Sequence, residues 1–563
     1  DIKRTDAYQK PNRLDYYLQW ENNKHNFDDS KIRMSIRVHG NEVVRYNRWL
    51  EESHQLKSKW STWASISSFI DDISSFIFFI TMLLAILISL FYFRISTNWQ
   101  IATKYTITIF IIFLIGSILE IPTAIIGFSS KTPLSSSILF HLINEILNQM
   151  FMCFFLLVMF SAFEKLYRKH FPDHLSFQYI FNTKALTTKL FFNNYVAGLV
   201  CAVCAVSFMA VFHFIIQESG YYIAYSTLDF NNMLSLSPLI SSFASSISYT
   251  VRTVMPGAVL TLIIYQLSNS KILSISLASI FFSLRVFETD PIFISSIYLL
   301  LMGLVMGFLL FRYGILSFAI YAITYFCIHD VILLLFTNQI YNIVTGVIII
   351  ALLLFPAIYS ILHYLKYKTT TSADSLLNSA ESFPEIATSV PKAPALEHPS
   401  NTKWAFALLI LGMFCLLIPN NDELQDVWKF TVSKEDAIAS AANIIEKKYD
   451  GKVSDYNVAT AIWDHEIGQG GWGVYISPFI LSMRKTDHDL GYYKQHVGRK
   501  GLLELAEKYN TPFTSWAVKY YKKDHKENYT LKIHPQNKDN AIMYTHYIPD
   551  STNLPSLSKD AAE

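Results

Sequence analysis

The chain has 563 residues, 52% of them hydrophobic and only 16% charged, with a formal net charge of +2. Together with a mean hydropathy of +0.28, this excludes an ordinary soluble protein, and the lack of a basic stripe argues against a nucleic-acid partner. The apolar residues concentrate between about Ile66 and Tyr364, in several runs near or above the ~18 residues that cross a bilayer as a helix. The lipid bilayer is therefore the first expected partner.

Residues 1–60 read as a β-rich polar domain. Lys31 to Val38 alternates apolar and polar residues, His39-Gly40-Asn41 signals a turn, and Glu42 to Leu50 returns as a second strand. A membrane core at 66–365 follows, with spans expected at roughly 73–94, 103–121, 141–163, 193–216, 237–267, 272–288, 292–311, 314–336 and 341–364. The 237–267 segment is rich in serine and holds Arg252 and Pro256, so it should face protein rather than lipid. A disordered linker is expected at 366–402 from its Ser, Pro, Ala and Glu content, and a single further span at 403–419. Residues 420–563 read as an α+β domain. Its first helix should be capped by Ser433 with Asp436, bury Ala437, Ala441, Ile444 and Ile445, and precede strands at 516–521, 529–533 and 542–547. The fold class expected is thus a polytopic all-α membrane bundle of about nine spans plus one, with two small extracytoplasmic domains. Asp1 at the start, and an incipient helical turn from Leu557 to Glu563, suggest a piece of a longer polypeptide.

Basic residues set the expected orientation. Lys165, Arg168, Lys169, Lys184 and Lys189 crowd one loop, and Lys366, Lys368 and Lys403 flank the linker, whereas 219–235 and 337–340 carry no Lys or Arg. The positive-inside rule places the first loop and the linker in the cytoplasm and both polar domains outside, on one side of the membrane.

The five cysteines, Cys153, Cys201, Cys204, Cys327 and Cys415, all lie in apolar runs, so no disulfide framework is expected in the polar regions. Cys201 and Cys204 read as small packing residues of a membrane helix. Asp464-His-Glu466 and Asp487-His-Asp489 lack a metal-site spacing and read as solvated loops. The glycines from Gly468 to Gly473 lack the Lys-Ser/Thr of a phosphate loop.

Several segments carry a family resemblance. They are Phe163-Glu-Lys-Leu-Tyr-Arg168 followed by His170-Phe-Pro172, the stretch from Gly303 to Gly314 ending in Arg312-Tyr-Gly-Ile-Leu316, Pro11 to Asp15 with Trp20-Glu21, and Trp516 to Tyr521 with Glu527-Asn-Tyr529 and Pro549-Asp550. In these the chain resembles the CAAX protease and bacteriocin-processing (CPBP) type of intramembrane protease, in its multidomain bacterial form. The module similar to 420–563 precedes the one similar to 1–60 in that family, so the order here suggests a tandem array. The resemblance implies a Glu-Glu-x-x-x-Arg helix, a Phe-x-x-x-His-like helix and a His-x-x-x-Asn/Asp helix that together activate water. In this chain Arg252 keeps its place, but Ile247 and Ser248 stand for the Glu pair, Leu284 for the first His, and Ala322 and Phe326 for the second His and the acid. A shifted alignment that makes Asp330 the acid puts Phe326 at the His position.

A carboxylate base is what peptide hydrolysis in a bilayer needs, because water alone is too weak a nucleophile. Its loss points to a catalytically inactive scaffold that binds a substrate, a membrane protein, a peptide or another copy of the family. The runner-up is a divergent active endopeptidase built on other intramembrane polar residues: His141 and Glu145, four apart on one helix face, and His329 and Asp330, about 100° apart. A transporter or channel is a third reading. No cofactor or metal is implied, and a bacterial inner membrane is the expected location.

Overall fold

The computed structural model describes residues 2–27, 30–50, 76–88, 98–122, 134–180, 182–218, 235–283, 293–336, 340–378, 430–449, 453–464, 514–522 and 525–558, with a few isolated positions between them. It consists of a helical bundle and an antiparallel sheet carrying one helix.

Among the described residues, nine apolar stretches of the bundle are helical: α1 (Phe76–Ile88), α2 (Trp99–Leu119), α3 (Leu134–His170), α4 (Lys189–Glu218), α5 (Pro238–Tyr249), running through a π turn into α6 (Met255–Ser268), α7 (Lys271–Ser283), α8 (Phe293–Tyr313), α9 (Ile315–Phe336) and α10 (Ile340–Tyr367). Among the described residues, six stretches are long and apolar enough to cross a membrane: 99–119, 134–170, 189–212, 238–268, 315–332 and 340–367. The apolar parts 76–88, 271–281 and 297–313 are shorter. The serine-rich stretch 238–268 is the most enclosed of the six, with 65% of its apolar window buried, as its polar content requires. Ala244 sits close enough to α2 that a Cβ on Gly116 would lie 3.3 Å from its own.

The π turn spans Thr250–Val254. Pro256, two residues further on, has no N–H to donate to the Arg252 carbonyl, and its ring would crowd that carbonyl in a regular α-helix. Widening the turn relieves both, a frequent cause of such bulges.

Joints between helices use specific chemistry. Gly314 links α8 and α9 at φ +83°, and a Cβ there would lie 2.5 Å from Tyr167 Oη and 2.6 Å from His174 Nδ1. Tyr167 Oη accepts from the Ile315 N–H at 3.2 Å, so the end of α3 meets the joint between α8 and α9. Glu164 and Arg168, both largely enclosed, form an ion pair at 2.8 Å. The expected linker starts later than its composition implies. Residues 371–378 fold back on 171–188, with Ser176 N–H donating to Leu376 O at 2.8 Å and Asn378 Nδ2 to Phe171 O at 2.7 Å. Polar side chains satisfy the backbone there, which the reading from composition did not weigh; residues 379–402 lie outside the described residues. Of the expected span at 403–419 only Ile410 and Gly412 are described, both helical. Gly412 O accepts from Ser207 Oγ at 2.8 Å, and the Cys204 Sγ lies beside Gly412, a packing role for that cysteine.

The strands of the two polar regions form a single eight-stranded antiparallel sheet rather than two separate ones. They are β1 (Ile2–Lys10), β2 (Arg13–Phe27), β3 (Ser30–His39), β4 (Glu42–Leu50), β7 (Asn457–Asp464), β8 (Thr514–Tyr521), β9 (Asn528–Ile533) and β10 (Ala541–Tyr547), in the order β1-β2-β3-β4-β10-β9-β8-β7. Two-residue strands β5 (Tyr222–Ile223) and β6 (Thr289–Asp290) pair elsewhere. The seam between the halves is β4–β10, with Tyr544 opposite Tyr46 and Thr545 opposite Arg45. β10 alternates buried and half-buried positions along its whole length, as a strand with one covered face should. The β3–β4 hairpin turns at Gly40, φ +59°, against Leu554 and Pro555.

A strap from Pro549 to Leu557 crosses the β1–β2 hairpin. Arg13 Nη1 donates to Pro549 O at 2.7 Å, Leu14 N–H to Ser556 Oγ at 2.9 Å and Tyr16 Oη to Leu557 O at 3.2 Å. The helix α11 (Lys434–Tyr449) begins with the expected cap: Asp436 N–H donates to Ser433 Oγ at 3.0 Å. Its buried face, Ala437, Ala441 and Ile445, joins Trp516, Val518, Leu531 and Ile533 in one apolar cluster, and Tyr520 Oη donates to Ile438 O at 2.8 Å. Ala459, Ala461, Ala517 and Tyr521, from β7 and β8, pack against Ile125, between α2 and α3, and Leu134 at the start of α3, which places the sheet at that end of the bundle.

Candidate functional site

Arg252 is half-buried in the bundle, and it reaches from the π turn to side chains of α2 and α3. Its Nη2 donates to Gln149 Oε1 at 2.8 Å, and its guanidinium carbon lies 5.0 Å from the Phe113 ring centroid. The Gln149 amide passes the contact on: its Nε2 donates to Glu145 Oε2 at 3.3 Å. Ser117 Oγ, which also donates to Phe113 O, lies 3.4 Å from the same carboxylate oxygen. Glu145 is the main opposite charge acting on Arg252, with smaller contributions from Tyr249, Glu120 and Cys153.

Physical chemistry accounts for each part. An arginine in hydrocarbon costs at least ~2.5 kcal/mol, so it must find a partner. The Phe113 face offers a cation–π contact, worth ~2 kcal/mol when desolvated. Gln149, only 4% exposed, is the right spacer because an amide accepts on one side and donates on the other. The result is a guanidinium and a carboxylate joined through a neutral amide. Such an arrangement can hold a polar group of a bound chain at the Arg252 end, or position water at Glu145.

The expected catalytic positions fall elsewhere. Ile247 packs against the main core of the bundle, Ala322 is fully buried in it, and Phe326 packs on its edge with its ring 5.4 Å from that of Tyr249. Ser248 is half-buried one turn before Arg252. Leu284 lies outside the described residues, as do residues 465–513, which hold most of the two Asp/His/Glu clusters and the glycine-rich stretch.

The alternative polar residues divide between helix pairs. Glu145 is drawn to Gln149 and Ser117, although His141 lies one turn away on its own helix. Asp330 accepts from Ser245 Oγ on α5 at 3.3 Å, and the His329 ring packs edge-on against Tyr325 at 4.8 Å. These hydrogen bonds bring Glu145 toward α2 and Asp330 toward α5. Among the described residues no group of three or more His, Cys, Asp and Glu side chains is placed to hold a metal.

Gln149, Phe113 and Ser117 escaped sequence reasoning. The available signal was the Glu145-x-x-x-Gln149 spacing, which puts two polar side chains on one face of an apolar helix. No family model, curated protein or solved structure matches the chain.

Proposed function

We propose that this chain is a catalytically silent relative of the CPBP-type intramembrane proteases, a membrane scaffold that binds a substrate-like segment or a membrane-protein partner. One observation carries the reading. The positions where the resemblance expects a Glu, a His and an acid hold Ile247, Ala322 and Phe326, all packed in or against the bundle's main core, while the Arg252 beside them has its charge balanced from α3. Water activation needs a carboxylate or imidazole in contact with water, and apolar packing at those positions removes both. Supporting the expected orientation, β4 pairs with β10, so the two polar regions share one side of the bundle; the basic loops then face the cytoplasm and the sheet faces outward, in keeping with a bacterial inner membrane.

The test is reconstitution of the full chain in vesicles with a library of membrane-anchored peptides. Binding without cleavage is the expected result. Cleavage that disappears on a single change in the bundle sinks the proposal.

The second reading, a divergent endopeptidase, is favoured by one feature, the Glu145 carboxylate linked to Arg252 through Gln149. It requires that Glu145→Gln abolish a measurable cleavage while leaving the melting temperature in place.

A further inference from the structure

One face of the eight-stranded sheet is committed to α11, through Trp516, Val518, Leu531 and Ile533. Side chains alternate along a strand, so Ala517, Lys519 and Tyr521 take the other face. There Ala517 and Tyr521 pack against Ile125 and Leu134 at the end of the bundle. Residues directly opposite one another across a ladder share a face. The register therefore carries the bundle-side face from Lys519 through Thr530, Thr545 and Arg45 to Arg37 and Tyr17. Arg45 and Arg37 are immediate neighbours in that row, on strands about 4.8 Å apart. Like charges directly opposite destabilise a sheet. Burial, and after it the Arg37 charge, hold Arg45 below the ordinary arginine range, and among the described residues only Tyr17 acts the other way. The Arg45 Nε is enclosed and makes no hydrogen bond. Arg37 is exposed, with its guanidinium carbon 5.4 Å from the Tyr17 ring centroid. Carboxylates of the neighbouring strands are taken: Asp6 by Arg4 at 2.6 Å, Asp15 by Arg13 at 2.8 Å and Glu21 by Arg33 at 3.3 Å. Two adjacent guanidiniums without a carboxylate suit an external anion. Phosphate fits best, because each planar fork can donate twice to its oxygens.

We propose that Arg37 and Arg45 grip the phosphate of an anionic phospholipid headgroup, in the leaflet on the sheet's side of the membrane. Position argues for lipid rather than a soluble anion. The pair lies on the face that the sheet turns toward the bundle's end, where Leu134 opens a stretch long and apolar enough to cross a membrane. Arg45 stands three strands, or about 14 Å, from Lys519, so the pair reaches past the helices that β7 and β8 touch, toward the headgroups around the bundle. Juxtamembrane cations of this kind are drawn to anionic lipid. The inference needs only a membrane-spanning bundle and is independent of whether that bundle cleaves peptides.

Thermal unfolding of the full chain in nanodiscs tests it, in phosphatidylcholine alone and with increasing phosphatidylglycerol at constant salt. The expected result is a saturable rise in the unfolding temperature with phosphatidylglycerol. In the Arg37→Gln/Arg45→Gln double variant the apparent affinity for that lipid should fall at least about tenfold. Lys184→Gln/Lys189→Gln removes the same charge at the opposite end of the bundle and should leave the affinity near that of the unaltered chain. The single Arg37→Gln variant, at an exposed position, keeps the test decisive if the double variant fails to fold. A response to phosphatidylglycerol that survives unchanged in the arginine variants overturns the proposal. So does an equal loss in the arginine and lysine variants, which marks a diffuse charge effect. A rise with inorganic phosphate in phosphatidylcholine nanodiscs, and none with phosphatidylglycerol, overturns it too, because the site then takes a soluble anion.

Discussion

Tyr167 and Gly314 are matched so closely that a single methyl group cannot be placed between them: a Cβ on Gly314 would lie 2.5 Å from the Tyr167 oxygen. The same phenol accepts the N–H of Ile315, so the end of α3 and the α8–α9 joint are fixed by one contact.

Gly314→Ala should therefore destabilise the bundle by about 2–4 kcal/mol, through both the left-handed φ and the clash. Gly346→Ala is the control. Its nearest neighbour, Val331 Cγ1, would be 3.6 Å away, so the change should be neutral or slightly stabilising through helix propensity. Melting of the two variants in the same detergent checks the difference.

Gln149 should be more important than its neutral side chain suggests. Gln149→Leu leaves the Arg252 guanidinium and the Glu145 carboxylate without their shared amide, and should cost about 2–3 kcal/mol. In a double-mutant cycle with Arg252→Leu, the coupling energy should be about 1–2 kcal/mol. A coupling near zero means the two side chains act independently.

Arg13 joins the two ends of the chain. Its side chain is fully enclosed and contacts Asp15 at 2.8 Å, His39 at 3.3 Å and Pro549 O at 2.7 Å. Arg13→Ala should cost about 3 kcal/mol by leaving the buried Asp15 carboxylate with only His39, at 3.7 Å, beside it, and should release the 549–557 strap to limited proteolysis. Arg13→Lys should not rescue the wild-type pattern, because one ammonium cannot reproduce the fork of contacts.

Two groups in the sheet make stability rise with pH in two separate windows, because each has its folded pKa below its unfolded value. Burial pushes Lys519 on β8 down to about 8 from an ordinary 10.5. The unfolded chain then holds more protons between those values, so stability should rise as pH increases from 8 toward 10.5, by up to roughly 3 kcal/mol. Lys519→Met should flatten that rise. Glu527 has the same sign of slope in the acid range: its hydrogen bond from His546 holds its carboxyl below the usual range. Its contribution is present above the unfolded value and lost as pH falls through the lower, folded one. Chemical denaturation across pH in Lys519→Met and Glu527→Gln variants separates the two arms.

Local chemistry made much of the architecture readable. The apolar runs marked the six described helices long enough to cross a membrane, because a helix is the form in which a single apolar segment satisfies its own backbone in lipid. Ser433 and Asp436 marked the start of α11, and His39-Gly40-Asn41 marked a hairpin, because caps and tight turns depend on two to four adjacent residues. The site was less readable. Arg252 stood out as a charge in an apolar run, but its partners on α2 and α3 lie more than a hundred residues earlier in the sequence, where glutamine and phenylalanine look unremarkable.

The sequence by itself determined that the chain is built from membrane-length apolar helices and polar strand-forming ends, since periodicity and length are properties of contiguous residues. Only the tertiary structure decided that those ends close into one sheet through Tyr46 and Tyr544, and that Gln149 stands between Arg252 and Glu145. Strand pairing and charge compensation depend on which surfaces the folded chain brings together, and nothing in the spacing of residues along the chain encodes that distance directly.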